Sequence, residues 1–451
     1  MDYWRLVFDD LSGINHHDQI VNLLENSFIP HAHPENVNHL DIIAYGYKQA
    51  KQYKKSVLWA EKVCKLCSLE QKRGVRLNLS KLYISCNEPE KAEFYLDTNL
   101  KEDPNDIDSL IEYSVSLFMQ NKKLESYKVI EEAKDNLKNK NDEVSNKNKK
   151  IIEFNRGAQL IHLGNFKEGM KCLSIGRELK IWGSYSMNLP IPKWNGEIDK
   201  NKSILFVGEG GIGDEIINSR FVYELNKKQL NIGIVSSHNL ASIFSRMPFL
   251  YAQDYKSAYD INFQNFDYWA PMMDLPVLCD VDSKDLWKGP YISVCPAYKN
   301  KWDRIVGKKD KIKIGLKWSG NTLYDHDLHR SIPIEDIINK LDKNKFELYS
   351  LHKEEDQKIE NLTSLSKYLE TFEDALGAID QMDVVVSSCT SIPHASSAMG
   401  KKTFVFVPIM SYYIWSEEKE KSSWYGDNLT LLRQTKPRDW SEQIDNLIKL
   451  L

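Results

Sequence analysis

Up to about residue 185 the apolar positions recur at helical spacing, with no strand-like run and only three glycines before Gly157, so this part of the chain is expected to be helical. A two-helix motif repeats within it. Taking Ala44, Ser80, Val115 and Gly157 as the small residue of each first helix gives intervals of 36, 35 and 42, and a large residue follows three later each time: Tyr47, Tyr83, Phe118 and Leu160. The second helices bring Tyr53 with Ser56, Pro89 with Ala92, Leu124 with Tyr127, and Phe166 with Gly169, while Pro104 ends the second unit. Small residues let paired helices approach and large ones fill the groove between units, which is the logic of a helical repeat array. An irregular helical bundle is the alternative. The third interval is longer because of the lysine and asparagine run Asn136 to Lys150, which reads as a solvated loop or a helix extension.

Pro190, Pro192, Trp194, Asn195 and Gly196 interrupt the helices, and a domain boundary is expected at 187/188. Beyond it the period changes. Ser203 to Val207 reads as a buried strand, followed by Gly208, Gly210, Gly211 and Gly213 and then by a helix carrying Ile216, Ile217, Phe221 and Leu225. Glycines in such a turn let backbone approach a ligand, and the helix behind offers free N–H groups and a positive dipole end. Further strands are expected at Asn231 to Val235, from Lys311 (KIKIGLKW), at Phe346 to Leu351, Val384 to Val386 and Thr403 to Val407, with a helix at Phe372 to Met382. The alternation implies α/β sheets that bind ligands at the carboxyl ends of their strands, in two Rossmann-like lobes at 188–310 and 311–451 with a cleft between them.

Composition narrows the function classes. With 451 residues, 42% hydrophobic and 27% charged, the chain has ordinary material for several cores. A net charge of −4 gives no reason to expect nucleic acid as a partner. The acidic start MDYWRLVFDD and the lack of any window near 18 apolar residues point to a cytoplasmic protein without a membrane span. Seven scattered cysteines are no disulfide framework, and Cys64 and Cys67, a CxxC within the helical run SVLWAEKVCKLCSLE, lack partners for a zinc site. Gly208, Gly210 and Gly213 spell GxGxxG, so a nucleotide-cofactor oxidoreductase is one reading. The second strand, however, ends in Ser236, Ser237 and His238 where a dinucleotide fold places an acid.

The repeats look like tetratricopeptide repeats, whose period is about 34 residues. The segments IPKWNGEIDKNKSILFVGEGGIGDEI, IGLKWSGNTLYDHDLHRSIPI, DQMDVVVSSCTSIPHASSAMGKKTFVFVP and SSWYGDNLTLLRQ occur in the order and spacing of bacterial tetratricopeptide proteins fused to a heptosyltransferase-like glycosyltransferase. This resemblance covers residues 188 to 435 and implies a two-lobed GT-B fold behind the repeats. It also implies inverting transfer of a sugar from a nucleotide-diphosphate donor without a metal or other cofactor, to a glycan or protein acceptor that the repeats would hold.

Asp214 matches the acid proposed in that family as general base on the acceptor hydroxyl, which an inverting displacement needs; capping its own helix is the structural alternative. Glu209, with Gly211 and Gly213, would contact the acceptor. On the donor side the resemblance implicates Lys317, Ser319, Asn321, Arg330, His352, Lys353, Thr390, Ser391 and His394. A departing nucleoside diphosphate gathers negative charge that arginine, lysine and backbone donors must meet, and Arg330 is the foremost candidate despite Asp325 and Asp327 nearby. Ser391 and Pro393 read as a helix start able to bind an anion. Cys389 stands where the family has aspartate, so the resemblance does not extend to heptose as the donor. The alternative function is a non-catalytic repeat scaffold with a degenerate nucleotide-sugar-binding domain.

Overall fold

The structure is a computed structural model that describes residues 2–183, 187–228, 230–247, 251–282, 286–308, 310–321, 327–353, 359–416 and 420–451, with the side chain of Leu328 left out. Among the described residues ten α-helices come first: α1 (Asp2–Gly13), α2 (His17–Leu23), α3 (Val37–Gln49), α4 (Tyr53–Leu66), α5 (Leu69–Ser85), α6 (Pro89–Glu102), α7 (Ile107–Met119), α8 (Lys123–Asn136), α9 (Glu143–His162) and α10 (Phe166–Ser174). They pair in sequence, and one backbone feature recurs in every pair. Asn15, Lys51, Asn87, Asn121 and Gly164 each adopt a left-handed φ between 57° and 89° two residues before the second helix. At each turn the next N–H reaches back five residues, as in Gln52 to Tyr47 and Asn165 to Leu160, both at 2.8 Å, which satisfies the open carbonyls of the first helix.

Counting from these turns fixes the repeat register. The paired small residues are Ala44 with Ser56, Ser80 with Ala92, Ser114 with Ser126, and Gly157 with Gly169. In the third unit the position therefore falls on Ser114 and Leu117 rather than Val115 and Phe118, and on Lys123 and Ser126 rather than Leu124 and Tyr127. The reason is a shared hydrogen bond. Ser126 Oγ donates to Ser114 O at 2.6 Å, just as Ser56 Oγ donates to Ala44 O at 2.6 Å, whereas Leu124 lies on the surface. A first pair, α1 and α2, shares the turn but has Phe8 and Ile20 at the small positions, both fully buried in a core with Leu24, Ile43 and Tyr47. The run Asn136 to Lys150 supplies the first turns of the 20-residue α9, which accounts for the longer interval.

The chain forms two compact units: Met1–Asn155 with Thr322–His329 and Thr435–Arg438, and Arg156–Asn321 with Arg330–Gln434 and Asp439–Leu451. The dividing point falls inside α9, so α10 belongs to the second unit. There it is tied down by Lys167 to Asp280 at 2.8 Å and by Phe166 packing on Trp424.

The described residues of the second unit form two sheets. The first holds β1 (Ser203–Val207), β2 (Asn231–Ser236), β3 (Tyr251–Asp254) and β4 (Tyr268–Pro271), all parallel, in the order β3-β2-β1-β4. The linker pairs with its edge, Trp194 N–H donating to Trp269 O at 2.8 Å. The second holds β5 (Ile312–Lys317), β6 (Phe346–Ser350), β7 (Thr363–Ser364), β8 (Val384–Ser388), β9 (Lys402–Val407), β10 (Lys421–Ser422) and β11 (Gly426–Arg433), in the order β10-β11-β9-β8-β5-β6-β7. All its pairings are parallel except β10 on β11. Both sheets reverse direction of winding beside their first strand, between β1 and β4 and between β5 and β8, the place where doubly wound sheets bind ligands. Helical repeats followed by two Rossmann-like sheets is the expected fold class.

A methyl group at Gly157 would lie 2.8 Å from Gly169 O and from Leu173 N, both backbone atoms. Gly157→Ala should therefore force α9 and α10 apart and cost about 1–3 kcal/mol of overpacking, offset by at most about 1 kcal/mol of helix propensity. Urea denaturation measures it, and an unchanged midpoint would contradict the close packing.

Candidate active site

The turn after β1 runs from Gly208 into α11 (Ile212–Asn226), and its glycines serve three different purposes. A Cβ on Gly208 would sit 2.6 Å from the Glu215 carboxylate, which passes beneath the turn. Gly210 has φ +77°, which side-chain-bearing residues seldom adopt. At Gly213 a Cβ would come within 3.1 Å of His394, so this glycine lets α11 approach the helix Ser391–Ala398 of the second sheet. Internal packing and the φ of Gly210 thus account for these three glycines.

Three acidic residues bracket the turn. Glu215 is fully buried and accepts Ser237 N–H at 2.9 Å, Ser237 Oγ at 2.6 Å and His238 Nδ1 at 3.1 Å, together with the Ser236 hydroxyl. It comes from α11 and fills the space at the end of β2 where a dinucleotide fold needs its ribose-binding acid, so the oxidoreductase reading has no support here. Glu209, 1% exposed, is gripped by Arg177 at 2.7 and 2.8 Å and accepts Met273 N–H at 3.2 Å. Arg177 also holds Asp274 at 2.7 Å. The expected acceptor contact Glu209 is therefore a buried ion-pair partner that anchors the chain after α10 to the turn.

Asp214, half-buried, caps its own helix by accepting Gly211 N–H at 2.7 Å and also accepts the Tyr412 hydroxyl at 2.5 Å. Burial raises its pKa, and those two hydrogen bonds oppose the rise.

On the second sheet, Lys317 ends β5 beside Ser387 of β8. Ser319 and Thr390 are half-buried, as is Ser391 at the start of its helix, where Thr390 accepts Ile392 N–H at 3.4 Å as the cap. Asn321 and Lys353 are exposed. Arg330 donates to Cys389 O at 2.7 Å at the end of β8. Two of the expected donor contacts are internal. His352 accepts Trp318 N–H at 3.1 Å, lies 3.1 Å from Lys317 Nζ and packs on the Trp318 ring at 3.7 Å; burial and Lys317 push its pKa down to about 3. His394 is buried, stacked on Trp415 at 4.8 Å and 3.2 Å from the Tyr425 hydroxyl, and burial with Arg220 pushes its pKa down to about 3. Cys389 accepts Trp415 Nε1–H at 2.9 Å, and burial pushes its pKa up to about 11, which disfavours the thiolate that a nucleophile needs.

Arg220 is a buried residue that sequence reading did not single out. It donates to Ile217 O at 3.1 Å and Trp424 O at 2.5 Å and lies over the rings of Tyr425, Trp424 and Tyr291 at 4.6 to 5.2 Å. It thereby fastens α11 to Trp424 and Tyr425, just ahead of β11. Among the described residues, no group of three or more His, Cys, Asp or Glu is placed to hold a metal ion, and no helix is long and apolar enough to cross a membrane.

Helical repeats joined to two Rossmann-like sheets define the class: a helical-repeat array ahead of a doubly wound α/β region. No family model and no curated protein matches the chain. Among solved structures it is similar to the E. coli ADP-heptose LPS heptosyltransferase II, with 10% identity and a TM-score of 0.40 over 55% of this chain and 99% of that one. It is also similar to a mutant of the Thermobaculum terrenum O-GlcNAc transferase, with 11% identity and a TM-score of 0.34 over 92% and 89%. A third is YrrB, a TPR protein with an unusual peptide-binding site, with 13% identity and a TM-score of 0.26 over 39% and 84%.

Two outcomes follow from these ion pairs. Arg177→Met strands the Glu209 and Asp274 carboxylates and should cost about 3–5 kcal/mol in chemical denaturation, a loss that Glu209→Gln in the same chain should partly restore. His238 has its pKa raised by its hydrogen bond to Glu215, against a smaller opposing effect of burial. Its stabilising contribution is complete below the unfolded value of about 6.5 and is lost as pH rises through the higher folded value. The melting-temperature gap between the natural protein and His238→Gln should thus be widest at low pH and close above neutrality.

Proposed function

We propose that the protein is an inverting, metal-independent glycosyltransferase that moves a sugar from a nucleotide-diphosphate donor to a glycan or protein acceptor. The observation that carries this reading is that both candidate groups lie at the winding reversals of their sheets, the first holding Asp214 and the second Lys317, Arg330, Thr390 and Ser391. In this reading Asp214 accepts the proton of the acceptor hydroxyl, while Arg330, Lys317 and the amide end of the helix Ser391–Ala398 meet the charge growing on the departing diphosphate. Ser319, Asn321 and Lys353 complete the donor side, and exposed Gly211 leaves the turn open to the acceptor while Gly213 lets α11 approach His394. Glu209, His352 and His394 support these groups from behind. The repeats present the acceptor, by analogy with the extended surfaces of helical repeat arrays. A cytoplasmic setting is supported by seven cysteines of which none forms a disulfide.

The competing reading, a scaffold that binds without turnover, is favoured by Cys389 standing where the resembled heptosyltransferase-like pattern has aspartate. Two variants separate them. Arg330→Ala should weaken nucleoside diphosphate binding by about 1.5–3 kcal/mol in calorimetry, the range of a charge-assisted hydrogen bond, and unchanged affinity removes Arg330 from the site. Asp214→Asn keeps the helix cap but cannot take a proton, so turnover should fall by about 100-fold or more at an unchanged melting temperature. Full activity in that variant would leave Asp214 a cap alone.

A further inference from the structure

Asp214 presents no bare carboxylate. Its Oδ2 is held by Gly211 N–H and its Oδ1 by the hydroxyl of Tyr412, 198 residues away in sequence and beyond the end of β9. The Tyr412 ring is itself fixed. Trp182, from the segment that follows the last repeat helix, stacks on it with centroids 6.4 Å apart and planes 28° apart, and Tyr413 packs at 4.5 Å. Trp182 is buried and also packs on Tyr413 at 5.6 Å. From this geometry we infer that Tyr412 is a positioning residue for Asp214, its hydroxyl fixing one carboxylate oxygen and favouring the ionised form while the remaining lone pairs face the acceptor. The inference rests on the reading of Asp214 as the base.

The other titratable groups around Asp214 do not supply that role. Glu215 on the same helix pushes its pKa up, and His238 at the end of β2 draws it down by less than Tyr412 does. Cys389 at the end of β8 and Tyr413 beside Tyr412 are both driven further toward their neutral forms by burial. His394, packed against Gly213, is buried with a pKa near 3 and stays neutral. Tyr412 is the largest influence holding Asp214 ionised against the effect of burial.

Tyr412→Phe removes the hydroxyl and keeps the ring stack, so the chain should fold, with its melting temperature as the check. Asp214 is followed directly by carboxyl carbon NMR on aspartate-labelled full-length protein, with Asp214→Asn to assign the signal. Its titration midpoint should rise by about one pH unit in Tyr412→Phe. An unmoved midpoint overturns the inference. In transfer assays the acidic limb of kcat should move up by the same amount, giving about a tenfold loss below it and convergence with the natural protein above it. An equal loss at every pH would make Tyr412 merely structural and also overturn the inference. Absence of turnover in the natural protein at every pH would contradict the glycosyltransferase reading instead, and the carboxyl titration would still decide the role of Tyr412.

Discussion

A carboxylate taken out of water must be given donors, and three of them surround one glycine turn. Glu209, Asp214 and Glu215 lie within seven residues of one another, and each recruits a different part of the second unit. Glu209 draws in Arg177 from beyond the last repeat helix, Asp214 draws in Tyr412 from beyond β9, and Glu215 draws in the end of β2. Together these pairings set the position of the turn relative to both sheets. The glycines follow from the same requirement, because Gly208 and Gly210 make room for the Glu215 and Asp214 carboxylates.

This arrangement explains why the end of the repeat array is built into the α/β unit. Arg177 and Trp182 follow α10 directly and reach the base of the turn and the ring of Tyr412. A truncation that removes them would strip the proposed active site of a counter-ion and a ring contact. Any division of the repeats from the sheets that spares these contacts must therefore fall before Arg177.

The chain pattern made the repeats legible because small residues paired twelve apart sit at fixed distances from a left-handed turn residue. The third unit was harder to register because Ser114 and Val115 are both small enough, and only the buried serine hydrogen bond distinguishes them. The first pair is hidden because Phe8 and Ile20 replace the small residues altogether. Strands β1, β2, β5, β6, β8 and β9 are apolar runs with clear ends, whereas β3, β4, β7 and β10 have only two to four residues and leave no periodic trace. Strand β11 carries LTLLR, a run that fits helix or strand equally. At the site, Asp214 and its glycines stand out in sequence. The contacts that decide their roles do not, since Arg177 lies 32 residues from Glu209 and Tyr412 lies 198 from Asp214. His352 and His394 show the same limit, because motif position does not reveal that both rings are turned inward.

The central claim is that a nucleotide sugar occupies the winding reversal of the second sheet and reacts there. It is tested most directly by offering the full-length protein the diphosphate sugars of uridine, guanosine and adenosine, with a CMP sugar for comparison, and following binding by calorimetry and sugar release by chromatography. The account predicts that at least one diphosphate sugar binds and is slowly hydrolysed or transferred. Binding without any turnover would identify a scaffold, and failure of every nucleotide sugar to bind would contradict the account altogether.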